Sequence, residues 1–277
     1  MAHSRNSQSQ RPHAPCVQLR QASYYDARLR GAVVLFVDGL VSWAATNPMA
    51  TLAKAKRLLR REPESTKEMT GLIRQACLVA RDAAANTSEF IGNSSKMAFL
   101  AVKDCEKELD RIERQVDEKI TSAITEVTEA EARELLACLK FITDLERVGD
   151  LTWSVVKRVQ SVTPRLLADD RRDLIAMSET LRKMLDGVRA GFVDRDVEPA
   201  TWVLKTDSQI DQTCHALFRR HLESTDRRPR EYSTNLLFMA QAFERAGDHT
   251  KNLAEEVFHL VEGRSVRHEL KRRQPEG

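Results

Sequence analysis

Apolar residues recur along most of the chain at intervals of three and four, the spacing that lines one face of a helix. From Tyr24 to about Ala45, Leu29, Val33, Phe36, Val37, Leu40, Val41 and Ala44 keep this spacing and predict an amphipathic helix. Asn47-Pro48 interrupts it, and a short basic helix ending in "KAKRLLRRE" follows before Pro63. Beyond Pro63 the pattern predicts long helices near 65–92, 96–124 and 129–162, then near 165–193, 198–224 and 231–262. They are separated by "GNSS", "EVTE", "SVTP", "DRDVEP" and "TDRRPR". Thr163-Pro164 is read as a helix start, because proline is favoured at the first helical position. No stretch carries a convincing strand pattern, and residues 1–22, polar and rich in Ser, Gln and Arg, read as a disordered arm. The predicted class is all-α.

The third and sixth of the long helices share a peptide. "LERVGD" runs from Leu145 to Asp150 and "FERAGD" from Phe243 to Asp248, 98 residues later. The second and fifth helices match as well: Val102, Glu106, Leu109 and Asp110 correspond to Val203, Asp207, Ile210 and Asp211 at an offset of 101. Two matches in the same order at nearly the same offset point to two copies of a three-helix unit. The expected organisation is an extension over 1–63, repeats over 64–162 and 163–263, and a basic tail over 264–277.

Each copy sets acids one helical turn apart on a largely apolar face. Glu146 falls among Leu135, Leu139, Ile142 and Trp153, and Glu244 among Leu236, Leu237, Ala240 and Phe258. Asp207 falls among Val203, Ile210 and Cys214, while Glu106 lies nearer the edge of its stripe. Carboxylates on such faces require cations. Arg147 and Arg245, next in sequence to the glutamates, project about 100° away on a helical wheel and read as poor partners. A bound hard cation is the alternative, since clustered carboxylate oxygens suit Mg²⁺, Mn²⁺, Ca²⁺ or iron. Gly149 and Gly247 would then let a neighbouring helix or an ion come close.

Charge and cysteine usage narrow the setting. The net charge of +3 is unevenly spread: residues 1–63 hold ten Lys/Arg against three Asp/Glu, and residues 264–277 hold five against two, which leaves an acidic body. Five scattered cysteines without a C-x-x-C pair argue against a disulfide framework or zinc–thiolate site and suit a reducing cytosol. The apolar run Val33–Leu52 contains Asp38 and Asn47-Pro48, so it is not read as membrane-spanning. A cytoplasmic protein is expected.

At the repeated motifs the chain resembles the PhoU family of phosphate-uptake regulators. "ERAGDHTKNLAE", Glu244 to Glu255, is similar to the family's pattern "ERIGDHATNIAE", and "ERVGDLTWSVVK" is a weaker first copy. The resemblance covers roughly residues 65–263. It implies two tandem antiparallel three-helix bundles and multinuclear metal clusters of divalent or trivalent ions: iron, zinc, manganese or magnesium. The ligands it implies are Glu106, Asp110, Glu146 and Asp150 in the first repeat and Asp207, Asp211, Glu244 and Asp248 in the second. It also implies a non-enzymatic, homo-oligomeric cytoplasmic regulator, reaching the inner membrane only through protein partners and binding no nucleic acid. Such a protein acts on a phosphate ABC transporter and a sensor histidine kinase to silence phosphate-starvation signalling. Two departures stand out. Ser154 and Lys157 occupy the places of Asn252 and Glu255, which weakens the first site in prospect, and residues 1–63 have no counterpart in the two-repeat pattern.

Three other readings remain open. The chain could serve a different phosphate permease, or be a metal-free interaction bundle. A di-iron carboxylate oxidase would need Glu-x-x-His on its helices, and only Glu256-x-x-His259 offers that spacing among the long helices. The helix over 24–45 is expected to bury Val33, Phe36, Val37 and Leu40 against its own bundle or a second subunit, since a lone helix of that length is marginal in water.

Overall fold

The computed structural model describes residues 64–162, 166–223 and 230–264. The extension over 1–63 with its helix at 24–45, the Thr163-Pro164 start and nearly all of the basic tail lie outside the described residues. Six long helices make up the rest: α1 (Glu64–Asn93), α2 (Lys96–Ala123), α3 (Glu129–Val162), α4 (Ala168–Asp194), α5 (Val197–Leu222) and α6 (Arg230–Glu262). A single 3₁₀ turn, Ile124–Glu126, closes α2. The architecture is all-helical, as the periodicity predicts.

Short polar caps set the helix boundaries. Ser94, with φ of 53°, turns the chain after α1, and the Ser95 hydroxyl accepts the Ala98 amide at 3.3 Å to start α2. Glu131 reaches back to the Thr128 amide at 2.8 Å ahead of α3. Arg195 ends α4 in the left-handed conformation, and the Asp196 carboxylate takes the Glu198 amide at 3.0 Å to begin α5. α4 starts at Ala168, three residues later than the 165 expected from sequence. The physical reason is tertiary: the Leu167 amide donates to the Tyr232 hydroxyl at 3.1 Å, which holds Leu167 extended, with ψ of 149°.

Helices α1 to α3 pack on one another, as do α4 to α6, and the two trios join where α1 meets α4 and α3 meets α6. The central layer is therefore a square of α1, α3, α4 and α6, with α2 on one edge and α5 on the opposite edge. One continuous apolar core fills it, including Ile73, Leu109, Ile142, Leu181, Ile210 and Phe243. Phe141 of α3 and Phe192 of α4 meet with ring centroids 4.7 Å apart, and the Ser178 hydroxyl donates to the Ala84 carbonyl at 2.8 Å.

The α4–α5 turn is tight because Gly191 lacks a side chain. A Cβ there would stand 2.9 Å from the Asp196 carbonyl oxygen and 3.1 Å from Val257 Cγ1. The first of these is backbone and cannot swing aside. Gly191→Ala should therefore destabilise the protein by about 1–3 kcal/mol, the usual penalty for overpacking. A urea midpoint equal to the parent's would refute the tightness of this turn.

A buried polar knot ties the ends of the second trio. Asp170 is 1% exposed, accepts from Tyr232 Oη at 2.7 Å and Arg220 Nη1 at 2.9 Å, and lies 3.1 Å from His221 Nε2. Burial alone would raise the Asp170 carboxyl, but hydrogen bonds from His221, Tyr232 and Arg220 hold it below its ordinary value.

Candidate metal centre

Polar pairs fix the two motif helices against each other. Lys140 Nζ meets Glu256 Oε2 at 3.0 Å, Asp144 Oδ1 meets His249 Nδ1 at 2.8 Å, and Arg158 Nη1 donates to Asn235 at 3.2 Å. Rising numbers on α3 thus meet falling numbers on α6. The helices are antiparallel, and the two repeated peptides lie level with each other at the crossing. From there one acid set faces α2 and the other α5.

In the first repeat, Gly149 admits α2 at close range. A Cβ on Gly149 would fall 2.5 Å from Leu109 Cδ1, so the glycine leaves the room that the buried Leu109 side chain fills. Asp110 follows Leu109 and Asp150 follows Gly149, and this contact brings their carboxylates together. Oxygens of Glu106, Asp110 and Asp150 all lie within 4.8 Å of one another, each residue being half-buried. Among the described residues no other trio of Asp, Glu, His or Cys converges this way.

The remaining first-repeat acid, Glu146, stands beside the trio. Its Oε2 is buried without a hydrogen-bond partner, although Arg147 Nε approaches to 3.4 Å. Burial first, and then the charge of Asp150, push the Glu146 carboxyl up to about 7. Glu106 is raised by burial and by the charges of Asp110 and Asp150. Glu113, which the motif reading omitted, is raised too, by burial and by Asp117, Asp110 and Asp150. Its signal in the sequence is plain in retrospect: it stands three residues beyond Asp110 on the same face. Arg147 corrects one expectation, since its guanidinium turns back and reaches both Glu146 and Asp150, the latter at 3.3 Å.

Glu146 offers a test in metal-free protein. Its folded value lies above the ordinary 4.5, so the folded chain holds a proton that the unfolded chain has released. The parent therefore loses stability as pH rises from 4.5 towards 7 and carries the full penalty above that. Glu146→Gln should gain on the order of 1–2 kcal/mol above pH 7, after discounting for solvent screening, and nothing below the unfolded value. Denaturant melts across pH read this directly, and an equal gain at every pH would count against it.

The second repeat is built differently. Asp207, its side chain 3% exposed, accepts Lys251 Nζ through Oδ2 at 2.6 Å. Its other oxygen is buried without a partner and faces Gly247, where a Cβ would come within 3.3 Å. Glu244 accepts from the Cys214 thiol at 3.2 Å, and burial together with that bond pushes the thiol up to about 12. Burial, then the mutual charge of the acids, raises Asp211 and Asp248. Burial alone would lower the Lys251 ammonium; its bond to Asp207 and the charges of Asp207, Asp248 and Asp211 raise it instead. The motif reading missed Lys251, although it lies one turn beyond Asp248.

The PhoU domain model matches residues 73–159 and 174–257. The chain belongs to the PhoU family. Each matched stretch falls on one helical trio and contains one acid set. A PhoU homologue of Rhizobium meliloti, named a phosphate-specific transport system accessory protein, is 32% identical over 208 residues, spanning 72% of this chain and 86% of that one. A homologue of the same name from Clostridium acetobutylicum is 24% identical over 163 residues, 57% of this chain and 74% of its own. The fold is shared with the PhoU crystal structure from Streptococcus pneumoniae, a phosphate transport system regulatory protein, at a TM-score of 0.66 and 19% identity, covering 73% and 97% of the two chains. PhoU from Pseudomonas aeruginosa superposes at 0.58 and 22% identity, covering 72% and 95%. Among the described residues no helix is long and apolar enough to cross a membrane.

Proposed function

We propose that this PhoU-family chain is a metal-binding negative regulator of phosphate uptake. It acts in the cytoplasm as a homo-oligomer, through contact with a phosphate ABC transporter or a sensor histidine kinase. The observation that carries the reading is the match of both helical trios to the PhoU domain, with relatives named as accessory proteins of phosphate transport. The first acid set supports the metal part. Glu106, Asp110 and Asp150 converge, Glu146 keeps a buried oxygen without a hydrogen bond, and the nearby guanidinium of Arg147 is half exposed. Such a donor set suits a hard cation, which would neutralise the acids and clamp α2 to α3.

The oxidase reading finds no support. Glu256 is engaged by Lys140 and by His259 at 3.4 Å, about two turns beyond Asp248. The test is genetic. Deleting the gene in its host should raise phosphate-starvation transcripts and phosphate accumulation in phosphate-rich medium, and the wild-type gene should reverse both. Unchanged transcripts and uptake would overturn the regulatory reading.

A further inference from the structure

We infer that Lys251 is the resident cation of the second repeat: its ammonium spans α5 and α6 as a metal ion would, and leaves metal binding to the first repeat. The inference deepens the metal reading above and rests on it for the first repeat alone.

Three observations carry it. First, Lys251 Nζ on α6 bonds Asp207 Oδ2 on α5 at 2.6 Å, so a side chain already bridges the two helices that a shared ion would join. Second, the corresponding position of the first copy is Trp153. The nearby Lys157 stands over the Trp153 ring, 5.4 Å from its centroid, and among the described residues Glu106 and Asp110 make no ion pair. The repeat without a lysine at this position is therefore the one whose acids converge, with the half-exposed Arg147 guanidinium on Asp150 and Glu146 as their ion-pair partner. Third, the free oxygen of Asp207 is turned onto the backbone at Gly247, while one oxygen of Glu244, Oε2, accepts the Cys214 thiol.

An incoming divalent ion that joined α5 to α6 through Asp207 Oδ2 would have to break the Lys251–Asp207 bond. It would also have to leave an ammonium beside itself in a half-buried groove, where like charges repel strongly. A tethered ammonium, in contrast, is present at high effective concentration and needs no supply from solution. The two centres thus differ in kind: the second is permanently neutralised in part, and the first answers to the metal around it.

Mn²⁺ binding to the full chain, after chelation and dialysis, tests this. Asp110→Asn with Asp150→Asn should remove the parent's Mn²⁺, whereas Asp211→Asn with Asp248→Asn should leave it unchanged. Lys251→Met, which keeps the aliphatic stem, should take up additional Mn²⁺ that is lost again when Asp211 and Asp248 are also neutralised. If this variant folds only when Mn²⁺ is present, that is the same gain read another way. If it folds in neither condition, the Asp211 and Asp248 variant decides. The inference is overturned if that variant strips Mn²⁺ from the parent, or if folded Lys251→Met binds no more than the parent. A parent without Mn²⁺ would sink the first-repeat reading alone, since uptake by Lys251→Met still reports on the lysine.

Discussion

Mn²⁺ should raise the melting temperature of the chelated full-length protein, and Asp110→Asn with Asp150→Asn should abolish the response. Ligand linkage sets the size: at a free metal concentration 100 times the dissociation constant, stabilisation is about 2.7 kcal/mol. For 150–250 ordered residues each kcal/mol is worth roughly 2–4 °C, so the shift should be about 5–10 °C. The competing account gives the acids to Arg147. That guanidinium is 54% exposed and reaches Glu146 and Asp150 at 3.4 and 3.3 Å. Exposed pairs of this kind contribute about 0–1 kcal/mol, too little to offset the crowding of Glu106, Asp110, Glu113, Glu146 and Asp150. The accounts diverge in sign. If metal clamps the site, neutralising Asp110 and Asp150 leaves the metal-free protein as stable as the parent or more so, and indifferent to chelator. If Arg147 is the partner, the same variant loses stability and the parent ignores chelator. A single melting curve of the parent with and without chelator separates them.

Asp170→Ala should be the most damaging change away from the acid centres, at about 3–5 kcal/mol. That is the usual result of stripping one partner from a buried charged pair. Asp170 is 1% exposed and receives Tyr232, Arg220 and His221, so its removal leaves polar groups of α5 and α6 facing a void. Arg220 keeps Asp173 at 2.8 Å, which moderates the loss without restoring the link to α4's first turn. The pH dependence distinguishes charge from packing. The Asp170 carboxyl is held below its ordinary 3.8, so its stabilisation is present above that value and is lost as pH falls through the folded one. Parent and Asp170→Asn, measured by denaturant melts, should therefore converge in strong acid. A gap that stays constant down to the lowest pH would assign the loss to packing instead.

Periodicity carried the sequence reading as far as helix axes and faces. Val102, Leu109 and Val116 of α2 are buried, as their spacing requires, and Asp207 is buried among Val203, Ile210 and Cys214. The two glycines were legible for the same reason, because a motif centred on a close helix contact has few other residues to choose from. What escaped was the far end of long side chains. A helical wheel fixes the direction of Cβ, but Arg147 and Lys251 carry their charge several bonds away and can cross that angle. Hence Arg147 reached acids it seemed to point away from, and Lys251 reached another helix. Glu113 escaped because the motif was read as a pair, whereas α2 continues to present acids one turn further on. The start of α4 depends on Tyr232, 65 residues away from the amide it holds, and no local signal could report it.

The place of α2 on one edge of the central square has a dynamic consequence. α3 is held on several sides, by α1, α2 and α6, and cannot yield to repulsion at the acids without opening the core. Among the described helices α2 packs mainly on α1 and α3, so fewer neighbours hold it than hold α3. Repulsion among Glu106, Asp110 and Asp150 therefore loads the seam between α2 and α3 first. A cation bound there, as proposed above, would hold α2 against α3.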